Sequence, residues 1–216
     1  MAINTVADLL WNRRLLQFLE RKYPGRYESA ANIGTAYELM GRNEDALKWV
    51  SEGLKRNPAD HYGTEWLHVH ILKAKLGRVP KPGPGRSILN LDFGTELVPQ
   101  RPARLPVGNS GESLSLIELG LGLRYQLLER IGFVAAPDPI VAGLLLDWAN
   151  LELLAGAVES ADVLYDAASR YGSNVRQIIA LRKAHVAKIL SQSRARPTPV
   201  NGLCELCQPR ESLDKP

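Results

Sequence analysis

The chain has 216 residues, a formal net charge of +4 and only two cysteines. Apolar residues make up 45% of it and charged residues 23%, which excludes a wholly disordered chain and a disulfide-stabilised scaffold. A chain of this length can bury a core without metals or disulfides.

The sequence also argues against a membrane protein and a secreted one. No apolar run approaches the ~20 residues of a membrane-spanning helix, since even 143–154 is broken by Asp147, Asn150 and Glu152. The first residues lack the basic segment that opens a secretory signal. We therefore expect a cytoplasmic protein with no membrane partner.

Helical periodicity runs through residues 1–77, which we predict to form an N-terminal helical block. Pro24, Gly41 and Pro58 interrupt the pattern and should each end a helix. Asn43 is the predicted N-cap of the third helix. Apolar residues recurring at three- and four-residue steps predict four helices, over about 6–23, 27–40, 43–56 and 61–76.

A proline-rich connector is predicted over 78–111. Six prolines fall between Pro80 and Pro106, a density that neither a helix interior nor a central strand can accommodate. Within the connector, the stretch 87–94 is apolar enough to dock onto a helical surface or to form a short extended piece.

A C-terminal helical block is predicted over 112–192. Ser115 and Glu118 have the spacing of a capping box, which places a helix start there. Asp138 followed by Pro139 predicts a second helix start, with the aspartate as N-cap and the proline at the first helical position. Residues 193–216 are polar and proline-rich, and we predict a flexible tail.

The N-terminal block resembles the tetratricopeptide repeat family. Pro24 and Pro58 lie 34 positions apart, which equals the family's period of ~34 residues. If Tyr27 is repeat position one, the residues that match the family's motif are Ile33, Gly34, Tyr37, Gly41, Ala46, Gly53 and Pro58. The family's early tryptophan is replaced by Ala30 and its aromatic residue in the second helix by Val50.

The C-terminal block matches a different subset of the same motif. Counted from Ala142, the family's turn glycine, small residues and aromatic residue fall on Gly156, Ala161, Ala168 and Tyr165, while the terminal proline is absent. The resemblance implies an all-α fold of antiparallel helix-turn-helix repeats, an α-solenoid interrupted by the connector, with one repeat over 27–60 and a repeat-like hairpin over 142–172.

A physical reason supports this interpretation independently of the family. Glycine inside a helix costs ~1 kcal/mol relative to alanine. We therefore expect Gly34 and Gly53, together with Ala46, to lie where paired helices approach each other closely.

The resemblance implies a concave groove, lined by the first helix of each repeat, that receives a peptide or a partner surface. We accordingly predict a protein–protein interaction scaffold. Chaperone-tail binding is not expected, because the positions that carry Lys and Asn in such family members hold Ala31 and Thr35 here. The several acids of the groove favour an apolar or basic partner segment. The predicted groove residues are Glu28, Ala31, Asn32, Thr35, Glu38, Leu39, Tyr62, Glu65, Trp66, Val69, Lys73, Asp147, Asn150 and Leu154.

No catalytic constellation, phosphate-binding loop or cofactor motif is found in the sequence, so we predict no enzyme and no cofactor. His61, Glu65 and His68 share one predicted helix face. A carboxylate-bridged metal site would need a second such set, so a polar groove face is the favoured interpretation and no metal is predicted.

Two alternatives from other functional classes remain open. Cys204 and Cys207 form a single Cys-x-x-Cys pair, half of a structural zinc set, which would suit a metal- or thiol-dependent regulatory protein. The basic residues of the first helix could bind a polyanion. The chain has only 6% aromatic residues and no recognised nucleic-acid motif, which argues against nucleic acid as the partner.

Overall fold

The structure, a computed structural model, describes residues 6–59, 61–80 and 86–195, with side chains described from residue 14 to residue 192 of these ranges. Over them the chain forms eight α-helices and no strand, which confirms the all-α class. A 3-10 turn (His61–Gly63) precedes the fourth helix. The helices are α1 (Val6–Lys22), α2 (Tyr27–Leu39), α3 (Asn43–Arg56), α4 (Glu65–Lys75), α5 (Leu116–Arg130), α6 (Pro139–Ala155), α7 (Val158–Tyr171) and α8 (Arg176–Ala195).

The chain divides into two compact units. Unit 1 contains Met1–Pro82 and Leu105–Gly132, and unit 2 contains Gly83–Arg104 and Phe133–Pro216. This division differs from the predicted blocks, because α5 belongs to unit 1 and part of the connector belongs to unit 2. The physical reason for the first difference is a set of polar contacts that join α5 to α2 and to the residues around the start of α4.

Unit 1 is built from consecutive helices, each of which packs against the next from α1 to α4. Burying one large apolar side chain contributes about 1.5–3 kcal/mol, so a shared cluster of such residues holds the helices together. The buried members of the cluster come from α2, α3 and α4 and are Ile33, Tyr37, Ala46, Leu47, Val50, Val69 and Leu72.

The small residues lie at the helix contacts, as predicted. A Cβ atom built on Gly34 would lie 2.5 Å from Cγ2 of Val50 and 3.0 Å from its backbone nitrogen, so α2 and α3 touch at this point. A Cβ atom on Gly53 would lie 3.4 Å from the backbone nitrogen of Ala31. In unit 2, where α6 packs against α7, Ala161 and Ala168 are fully buried.

The helix starts in the second half of the chain confirm the predicted caps. Ser115 and Glu118 form the reciprocal hydrogen bonds of a capping box at the start of α5. Asp138 accepts hydrogen bonds from the backbone N–H groups of Ile140 and Val141, with Pro139 at the first helical position of α6.

Two predicted starts in the first half need correction. Arg42, and not Asn43, is the N-cap residue of α3, a shift of one position. The fourth helix begins at Glu65, later than predicted, because His61 and Tyr62 have positive φ angles of 48° and 57°, which a right-handed helix cannot contain.

In unit 2, α6 packs against α7 and α7 against α8. The unit also contains residues 86–96 of the connector, which we call the docked segment. The apolar side chains of Ile88, Leu91 and Phe93 are buried, which confirms that this part of the connector docks onto helices. Among the helices that the structure describes, none is both long and apolar enough to cross a bilayer.

Substitution of two helical glycines should shift stability in opposite directions. Gly34→Ala is expected to destabilise the protein by about 1–3 kcal/mol, because the new methyl group would collide with Val50. Gly120→Ala is the matched control: a Cβ there meets nothing within 4 Å, so improved helix propensity should stabilise α5 by up to ~1 kcal/mol. Urea unfolding followed by circular dichroism measures both, and equal effects would contradict the close approach of α2 and α3.

Candidate functional site

The predicted groove residues separate into a surface group and an interior group. Glu28, Asn32, Thr35, Tyr62 and Lys73 are exposed or half-buried. The prediction of an open groove is wrong for the interior group, because other parts of the same chain cover these side chains. The buried residues are Glu38, Glu65, Trp66, Val69, Asp147 and Asn150, and of the other groove positions Ala31 is buried while Leu39 and Leu154 are half-buried.

In unit 1 the covering element is α5. Arg130, in its last turn, donates from Nη1 to Glu38 Oε1 at 2.6 Å and from Nη2 to Glu38 Oε2 at 3.3 Å. One turn earlier, Gln126 donates from Nε2 to Thr64 Oγ1 at 3.4 Å. A helix of this protein therefore lies over the face that the resemblance assigns to a partner.

Glu38 is the centre of a buried ion cluster. Besides Arg130, its Oε1 accepts from Lys75 Nζ at 2.7 Å, and its Oε2 lies 2.7 Å from His68 Nε2. Burial alone would raise the pKa of Glu38, but the hydrogen bond from His68 and the charges of His68 and Arg130 outweigh it and hold the pKa far below its usual value. The carboxylate is therefore ionised and joins α2, α4 and α5.

A second carboxylate extends the cluster toward the surface. Glu65 Oε1 lies 2.6 Å from Nδ1 of His61, and Glu65 Oε2 lies 3.7 Å from Nδ1 of His68. Burial would raise the pKa of Glu65, but the hydrogen bond to His61 and the nearby ring of His68 lower it to about 2. Burial would lower the pKa of His68, but the hydrogen bond to Glu38 and the nearby carboxylate of Glu65 leave it above its usual value.

The cluster explains why the histidines and acids of this region share one face: they neutralise each other inside the protein. Within the part of the chain that the structure describes, no three His, Cys, Asp or Glu side chains are placed to hold a metal ion together. Cys204 and Cys207, on which the thiol or zinc alternative depends, lie outside the described residues.

In unit 2 the segment 86–96 covers the corresponding face of α6. The Ser87 hydroxyl is hydrogen-bonded to the Asp147 carboxyl group. Arg182, on α8, donates from Nη1 to Asn150 Oδ1 at 2.6 Å, and from Nη2 to the backbone oxygens of Phe93 and Gly94 at 3.0 and 2.7 Å. The guanidinium group thereby fastens the segment to both helices.

Asp147 has the opposite electrostatic character to Glu38. Burial raises the pKa of Asp147 to about 8, and the hydrogen bond from Ser87 and the charge of Arg182 do not outweigh it. The folded protein therefore favours the neutral carboxylic acid near neutral pH.

Sequence reasoning missed Arg130 and Arg182, the residues that fasten the two covering segments. A signal for them exists: each arginine follows a buried apolar residue by three positions, Leu127 and Ile179 respectively, and so lies on an inward helix face. A long cation on such a face needs a buried acceptor.

Unit 1 has an open cleft of about 240 Å³ between α1 and α2. The ridge beside it is apolar: Leu15 and Phe18 are 46% and 51% exposed. Two of the predicted groove residues, Glu28 and Asn32, lie in this cleft. The lining residues are Leu16, Leu19, Tyr23, Arg26, Glu28, Ser29 and Asn32.

Neutralising Glu38 should destabilise the protein strongly. Glu38→Gln leaves the buried side chain of Arg130 without its carboxylate, and breaking a buried ion pair in this way costs about 3–5 kcal/mol. Glu44→Gln is the control, because its ion pair with Arg78 is exposed and should contribute less than about 1 kcal/mol. Urea midpoints near neutral pH compare the two, and similar small losses would contradict a structural role for the Glu38 cluster.

Asp147→Asn should remove a pH dependence from the stability of unit 2. Because the folded pKa of Asp147 is raised to about 8, its contribution to stability is fully present below the unfolded pKa of about 3.9 and is lost as pH rises through the folded value. The variant should therefore gain stability relative to the wild type as pH rises from ~5 to ~8. Amide hydrogen exchange of α6 at several pH values measures the difference, and a difference independent of pH would contradict the raised pKa.

No protein-family model, curated protein or solved structure matches this chain. The resemblance to tetratricopeptide repeats therefore depends on the chain's own residues, namely the small residues and prolines at repeat spacing.

Proposed function

We propose that the chain is a protein–protein interaction scaffold of the tetratricopeptide-repeat type, and that its partner binds at the α1–α2 end of unit 1. The observation that carries the proposal is the open cleft between these two helices, with its exposed apolar ridge at Leu15 and Phe18. Exposed apolar surface next to a concave feature is typical of protein-binding sites.

The covering segments argue against the two faces that the repeat pattern assigns to a groove. The faces that carry Glu38 in unit 1 and Asp147 in unit 2 are filled by α5 and by residues 86–96. A partner at either face would have to break a buried ion pair or hydrogen bond, which is costly. The α1–α2 cleft needs no such rearrangement.

Contacts between α1 and the rest of unit 1 hold the cleft in a fixed geometry. Gln17 donates to the hydroxyl oxygen of Tyr37 at 2.8 Å, and Leu16 packs against the core cluster of unit 1. Glu20 is paired with Arg56 of α3 at 2.8 Å. These contacts hold one face of α1 against the unit and leave Leu15 and Phe18 outward, so a partner meets a preformed surface.

Site-specific photo-crosslinking tests the proposal. A benzophenone amino acid at position 18 in the full chain, expressed in its native cells, should form adducts with a small set of discrete proteins. The same amino acid at Val163, which is 66% exposed on α7, is the matched control and should form none of them. Excess unlabelled wild-type chain should suppress the adducts, and a Leu19→Glu variant should not.

Identical adducts from positions 18 and 163 would show that α1 has no special role. The absence of any adduct at position 18 would also contradict the proposal, because Phe18 lies on the ridge beside the cleft.

A further inference from the structure

We propose that the partner segment at the α1–α2 cleft is acidic and carries a large apolar anchor side chain. The inference rests on the proposed function and specifies the chemistry of its ligand. It reverses the sequence-based expectation of a basic segment, because the structure places most of the predicted groove acids in the interior. The exposed acid of the cleft, Glu28, lies 3.7 Å from the guanidinium group of Arg26, which also lines the cleft.

The change from a basic to an acidic partner segment follows from the position of two predicted groove acids inside unit 1. Glu38 is neutralised by Arg130, Lys75 and His68, and Glu65 lies against two histidines. These carboxylates are buried, so they present no negative surface to a partner.

The outward face of α1 is basic and surrounds an exposed aromatic ring. On a helix, residues three and four positions apart are neighbours, so Phe18 is bordered by Arg14, Leu15, Arg21 and Lys22. All three cations are exposed, and among the described residues none of them forms an ion pair. An apolar ridge bordered by three cations therefore faces outward.

The acid of the same helix does not neutralise these cations. Glu20 accepts hydrogen bonds from both terminal nitrogens of Arg56, at 2.8 and 3.0 Å, and the hydrogen bond to that guanidinium is the main cause of its lowered pKa. Its charge is directed away from the outward face. Arg14 and Arg21 are seven residues apart, so carboxylates two helical turns apart on a partner helix would match them, with Lys22 beside the second.

The size of the cleft indicates the anchor. A volume of about 240 Å³ is below the ~300 Å³ of the smaller small-molecule sites, yet sufficient for one large apolar side chain. Leu16, Leu19 and Tyr23 supply the apolar lining, and Asn32 supplies a polar group at the side. An aromatic or leucine side chain flanked by acids would fill the cleft and meet the cations together.

Other occupants fit less well. A second copy joined α1 to α1 would bring Arg14, Arg21 and Lys22 close to the same cations, which is repulsive. A flat bilayer surface would leave the cleft unfilled. A nucleic acid would meet the cations but would leave Leu15 without an apolar partner.

A displayed library of random peptides tests the acidic and apolar character of the partner segment. The peptides have about 16 residues, which is long enough to form a helix. Panning on the full chain should enrich peptides that combine several Asp or Glu with a Leu, Phe or Trp. The dissociation constant of a selected peptide should rise at least about tenfold for Phe18→Ala and for the double variant Arg14→Glu, Arg21→Glu. Arg124→Glu on α5 is the control for a change of charge at another exposed helical arginine and should leave it unchanged.

Circular dichroism of each variant establishes that the helices remain folded. Enrichment of neutral or basic peptides, no enrichment, or affinity that is unaffected at Phe18 would overturn the inference. Tighter binding to phosphatidylserine vesicles or to a single-stranded oligonucleotide than to the selected peptide would also overturn the inference, if that binding depends on α1. Self-association that Phe18→Ala abolishes would identify a second copy instead.

The two proposals can fail separately. If position 18 crosslinks to a discrete protein whose contact segment is basic or neutral, the scaffold stands and the acidic chemistry is wrong. If position 18 yields no adduct while acidic peptides bind, the surface binds as inferred but serves no partner in the cell.

Discussion

The structure of unit 1 depends on one buried carboxylate. Glu38 is ionised in the interior because Lys75 and His68 of α4 and Arg130 of α5 surround its carboxylate with hydrogen-bonding groups, of which the lysine and the arginine are charged. An isolated charge in such a place would be far too costly, so the helices that carry its counterions must be present for the unit to be stable. The same group that requires α5 also positions it over the face of α2 and α4.

Unit 2 also buries an acidic side chain and an arginine, but their hydrogen-bond partners are different. Its central acid, Asp147, favours the neutral form, and its cation, Arg182, is used to bind an amide side chain and backbone oxygens of the docked segment. In both units an arginine fastens a piece of the protein's own chain over a helix that the repeat pattern assigns to a groove. At the α1–α2 end of unit 1, by contrast, the outward face of α1 carries exposed apolar and basic residues.

The sequence predicted the helices and their pairing well, because these depend on local signals. The capping box at Ser115, the cap at Asp138 and the small residue at Gly34 each act within one helix or one hairpin, and the structure places all three as expected. The burial of Glu38 could not be predicted in this way. Its partner Arg130 lies 92 positions further along the chain, and no periodicity within a helix encodes such a distance. The distorted turn at Tyr62 was missed for another reason, since positive φ angles are ordinarily predicted at glycine, and neither His61 nor Tyr62 is one.

The division of the chain into two discontinuous units also bears on how the protein is made. The chain leaves unit 1 after Pro82, contributes 22 residues to unit 2, and returns to unit 1 at Leu105 before leaving it again at Phe133. No single cut between the two halves separates intact units, since a fragment that ends at Pro82 lacks α5 and a fragment that begins at Phe133 lacks the docked segment. During synthesis, α1 to α4 leave the ribosome with Glu38 still short of one counterion, and unit 1 is complete only when Arg130 has emerged. A nascent chain paused before that point would leave the Glu38 carboxylate without Arg130 and its face of α2 without the helix that covers it.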